Sequence, residues 1–76
     1  MIDRTKAREL AEQFLGQQDL RGFAYRFSGI TFDQRWPGEW SVVFDVYSPD
    51  DTLIDGPVVL IVDKANGRVQ TVSQAV

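Results

Sequence analysis

Carboxylates are the reactive side chains this sequence supplies in number, and they are clustered. Asp50, Asp51 and Asp55 crowd one short stretch, with Asp45 just before it and Asp63 just after. A calcium loop needs oxygen ligands at set spacing and a glycine at its sharp turn. The order here does not match the EF-hand pattern of alternating Asp and Asn before a glycine. A glycosidase needs two carboxylates facing across a cleft ~5–9 Å wide, and a chain of 76 residues offers little room for one. The sequence contains no Cys, which removes disulfides, thiolate nucleophiles and zinc–thiolate sites. It contains no His, which removes the Ser-His-Asp triad and the imidazole base. The glycines form neither G-x-G-x-x-G nor a P-loop. No catalytic, cofactor or metal residue is expected, and the chain reads as non-enzymatic.

The carboxylates matter instead through their placement. Residues 36–63 carry Glu39, Asp45, Asp50, Asp51, Asp55 and Asp63 with no Lys or Arg, while the whole chain has a net charge of −3. A sequence pI near 4.6 opposes the electrostatic attraction that dominates nucleic-acid binding. An acidic patch does speed and select association with a basic partner. Its plain alternative is solubility. Asp45, Tyr47, Asp50, Asp51 and Asp55 are therefore the candidate partner-binding residues.

These residues must be held by a small α+β domain spanning 1–76. Ala7, Leu10, Ala11, Phe14 and Leu15 recur at the helical period. With Asp3 as N-cap and Gly16 as a left-handed C′ residue, they predict a helix over 4–15 with Phe14 in the core. From Arg21 the period becomes two: Phe23, Tyr25 and Phe27 share one face. Ile30 and Phe32 continue with shifted parity across Ser28-Gly29, the mark of a bulge or a break between two short strands. Trp36-Pro37-Gly38-Glu39 reads as a type II turn. Residues 40–47 form a strand with Trp40, Val42, Phe44 and Val46 on one face and Ser41, Val43, Asp45 and Tyr47 on the other. A loop from Ser48 runs to Gly56-Pro57, and Val58 to Val62 is a central strand, apolar on both faces. Asp63 to Gly67 is a hairpin turn in which Lys64 is expected to be solvated, and a last strand covers 68–73. The expected fold is one N-terminal helix on a three- to four-stranded antiparallel β-meander.

One helix covers one sheet face. The other face would display Val43 and Tyr47 with alternate members of Val58–Val62, a surplus of apolar surface that a partner or a second copy usually resolves. No apolar run approaches the ~18 residues of a membrane span, and the N-terminus lacks the succession of a signal peptide. A cytoplasmic protein without membrane or nucleic-acid partners is expected.

Three pieces together resemble the small bacterial immunity-protein family that includes the YrhB-like domains. They are the helix of Ala7, Leu10, Ala11, Phe14 and Leu15, the Gly38-Glu39-Trp40 strand start with Val43-Phe44, and Gly56-Pro57 leading into Ile61-Val62-Asp63-Lys64-Ala65-Asn66-Gly67-Arg68-Val69. In this chain Glu39 stands between the glycine and the tryptophan. The hairpin also resembles that of peptidase-propeptide (PepSY) domains. The resemblance implies a non-enzymatic binding protein that neutralises a toxin, and it carries over no catalytic residue. The rival expectation is a structural or regulatory homodimer that uses its second sheet face as the interface.

Overall fold

The computed structural model describes residues 2–18, 21–32, 34–54 and 56–71. Helix α1 runs Arg4–Gly16. Asp3 is extended, and its carboxylate accepts the Lys6 N–H at 2.8 Å, satisfying one of the orphan donors of the first turn. The C-terminal end departs from expectation. Gly16 is the last helical residue and does not take positive φ. Gln17 and Gln18 instead donate to the carbonyls of Phe14 and Leu15, at 3.2 and 3.1 Å, closing the end with a tighter turn. The left-handed backbone comes later, at Arg21 and Gly22.

Four strands follow: β1 (Ala24–Thr31), β2 (Glu39–Tyr47), β3 (Val58–Asp63) and β4 (Val69–Thr71). They pair antiparallel in chain order, the meander expected from the short connections. The parity shift in β1 is a bulge rather than a break. Phe27 faces Phe44 and Gly29 faces Val43, so Ser28 is the extra residue. Phe27 and Ile30 consequently both pack toward the helix.

Two connections correct the sequence reading. Glu39 N–H donates to the Trp36 carbonyl at 3.1 Å, closing a turn there. Gly38 lacks positive φ, however, which excludes the type II form. Beyond β2, Ser48 and Thr52 bond across a tight turn, Leu53 bridges to Tyr47, and Ile54 N–H donates to the Val46 carbonyl at 2.8 Å. The expected loop thus begins as a continuation of the hairpin. The β3–β4 turn matches its reading: the Asp63 carboxylate accepts the N–H groups of Ala65 and Asn66, and Gly67 sits at φ +75°.

Ala7, Ala11 and Leu15 of α1 lie over Val42, Phe44, Leu60 and Val62 of the two central strands. Phe14 flanks this row and is half-buried. The segment before the helix is tied to the far hairpin. Ile2 N–H donates to the Lys64 carbonyl at 2.9 Å, and the Ile2 carbonyl accepts the Trp40 indole N–H at 3.0 Å. Among the described residues no helix is long and apolar enough to cross a membrane.

Candidate interaction face

Because Val42 and Phe44 pack under the helix and Val46 shares their side of the strand, Ser41, Val43, Asp45 and Tyr47 must point the other way. The register then assembles the uncovered face. Val43 stands beside Val59, and Ser41 beside Ile61. On the other side Gly29 lies next to Val43 and Thr31 next to Ser41. Leu53, 56% exposed, is brought opposite Tyr47 by the tight turn. An apolar strip of Leu53, Tyr47, Val43, Val59 and Ile61 therefore crosses the face. Gly29 leaves it uncrowded, since a Cβ there would meet nothing within 4 Å.

Acidic groups bound this strip. Asp45 lies within it, and Glu39 and Asp63 face each other at one end. Two like charges directly opposite repel. Asp63 eases this by turning its carboxylate into the hairpin, where Ala65 N–H reaches it at 2.7 Å. The face also carries a cation that sequence reading did not single out. Arg26 is the register partner of Asp45, and its guanidinium lies 5.1 Å from the Tyr47 ring centroid.

The candidate partner-binding residues divide accordingly. Asp45 and Tyr47 lie on the face. Asp50 and Asp51 lie in the turn beyond its end, and both are exposed. Asp55 lies outside the described residues. Asp50 accepts the Ser48 hydroxyl, while Ser48 Oγ in turn accepts the Thr52 N–H. The Ser48 hydrogen bond, with those from Thr52, holds the Asp50 carboxyl below its usual value of 3.8. Asp51 sits at φ +68°, a left-handed angle that Asp tolerates better than most residues. Both aspartates thus shape the turn as well as charge it. Among the described residues, no three acidic groups converge as metal ligands would.

Lys64 departs from expectation. Its Nζ lies 4.2 Å from the Phe32 ring centroid and 4.4 Å from that of Trp40, so the hairpin lysine is held over two rings and is half-buried. The rings themselves pack edge to face at 6.2 Å. This cluster belongs to the edge of the core rather than to the open face. Leu53 and Arg26 were the residues sequence reasoning missed. The signal for Leu53 was the short Ser-Pro-Asp-Asp-Thr run, which folds the chain straight back on β2. No family model, curated protein or solved structure matches this chain.

Proposed function

We propose that the chain is a non-enzymatic protein-binding module whose open sheet face takes a basic protein partner. One observation carries the reading: an apolar strip, interrupted at Asp45 and flanked by Glu39 and Asp63, lies on a face that no described element covers. Covering such a strip with a partner gains hydrophobic free energy. The acidic boundary selects a partner of the opposite sign. The resemblance to the immunity-protein family supports the narrower reading that this partner is a toxin.

The test is copurification with the product of the neighbouring reading frame, using wild type and Val43→Lys. Val43 is on the open face, so the variant should keep its melting temperature within a few degrees and lose the complex. A complex that survives both Val43→Lys and Ile61→Lys would sink the assignment of the face. Should the chain alone sediment as a dimer that Val43→Lys dissociates, the face is a self-interface and the homodimer reading replaces this one.

A further inference from the structure

We propose a second interaction site: the outer edge of β1, with the groove between β1 and α1, binds an extended acidic segment of a partner protein as an added strand. It is independent of the open-face reading, since it uses the edge of the sheet and its helix-covered side. Strand β1 is eight residues long and terminal in the sheet. Its inner backbone groups pair with β2, and among the described residues no other backbone group bonds to it. A row of unpaired N–H and C=O groups is a template for another strand.

Side chains bring specificity to that edge. The groove beside it has a volume of about 410 Å³ and is lined by Arg4, Thr5, Arg8, Phe27, Gly29 and Ile30. Its floor is apolar, and among the described residues no carboxylate lines it. The Arg8 guanidinium rests 4.0 Å from the Phe27 ring centroid, and its Nε donates to Glu12 at 3.4 Å. These contacts pin the group and leave its two terminal nitrogens without a partner among the described residues. Arg4 makes no ion pair among the described residues; its guanidinium lies 5.8 Å from the Trp40 ring centroid. An added strand would therefore meet Arg4 and Arg8 with its groove-facing side chains, and acidic residues suit those positions.

Charge also argues against a second copy as occupant. Pairing β1 with β1 about a two-fold axis would gather Arg4 and Arg8 from both chains at one seam, where like charges repel. A partner's acidic segment has no such conflict.

The full chain is screened against a display library of random short peptides, and the best binder is synthesised and mapped on isotope-labelled protein by amide shifts. The expected binder carries several Asp or Glu residues and shifts the amides of 24–31 and 4–8. Its affinity falls about tenfold in an Arg4→Gln, Arg8→Gln double variant, as expected for two exposed charge pairs. On wild-type protein, methylating one alternate set of peptide nitrogens abolishes binding and methylating the other set does not, because an added strand uses one edge. This arm stands even if the double variant fails to fold. A library that yields no binder, or only neutral or basic ones, overturns the proposal. So do shifts confined to Val43 and Ile61, or indifference to both methylation sets. A free chain that dimerises with amides 24–31 in its interface gives the edge to a second copy and also overturns it.

Discussion

Gly67 holds φ at +75°, and a Cβ built on it would lie 2.9 Å from Ile2 Cδ1 and 3.1 Å from Leu10 Cδ1. Both neighbours are tips of flexible side chains and can yield, so the backbone angle decides the outcome. Gly67→Ala should cost about 1–2 kcal/mol, the left-handed penalty for a residue with a Cβ. Gly16 is the opposite case: it is helical, without positive φ, and nothing lies within 4 Å of its would-be Cβ. Gly16→Ala should stabilise by about 0.5–1 kcal/mol. Urea melts of the two variants should therefore move in opposite directions, and a parallel shift would contradict these backbone angles. Asp50 gives a pH test. Hydrogen bonds from Ser48 and Thr52 lower its folded value below the 3.8 of the free carboxyl. A lowered folded value means a contribution fully present well above 3.8 and lost as pH falls through the folded value. The gap in melting temperature between wild type and Asp50→Asn should be small at neutral pH and should shrink further between about pH 5 and pH 2. A gap that widens on acidification would mean the carboxylate is not stabilised by the turn.

At the scale of elements, the helix stripe was legible because five apolar residues at the helical period admit one buried face. Its centre was not legible. Sequence alone places Phe14 in the core with the rest of the stripe. In the fold the contact row is Ala7, Ala11 and Leu15, with Phe14 at the flank, because the sheet supplies the bulk: Phe44 and Leu60 are fully buried beneath it. Two alanines with no exposed surface let the helix settle onto those large side chains. Ala11→Leu should accordingly cost about 1–3 kcal/mol through overpacking, although leucine is apolar and a good helix former. A neutral or stabilising result in denaturant melts would show slack between helix and sheet. Turns were legible where side chains enforce them, as at Asp63 and Gly67. They were misread where the same residues permit more than one geometry. Pro37-Gly38 accommodates a turn without positive φ, and Gly16 can end a helix without leaving the right-handed region. The bulge at Ser28 could be located by its parity shift, but only pairing with β2 shows that the strand continues through it.

At the scale of the whole molecule, the helix sequesters one sheet face while charge divides the surface. The six acidic residues of 36–63 include the strip's boundary and the turn beyond it, whereas Arg4, Lys6 and Arg8 lie on the helix side. That division was readable from the sequence as a run without cations. The apolar strip was readable only in part: Val43 and Tyr47 follow from alternation, but Leu53 joins through a long-range bridge, and Arg26 reaches the face through the register of β1. The two parts of the face should govern different steps of binding. Boundary carboxylates act at a distance, so they set how fast a basic partner arrives. The strip acts only on contact, so it sets how long the partner stays. Glu39→Gln with Asp51→Asn should slow association several-fold with little change in dissociation. Wild-type association should slow as salt rises from ~0.01 to ~0.15 M, where the Debye length contracts from ~30 to ~8 Å. Val43→Lys should instead speed dissociation, because it places a solvated charge against the partner's apolar surface. Stopped-flow and surface-capture kinetics on the copurified complex separate the two steps. Charge variants that change only the dissociation rate, or an association rate indifferent to salt, would show that the acidic boundary serves solubility alone.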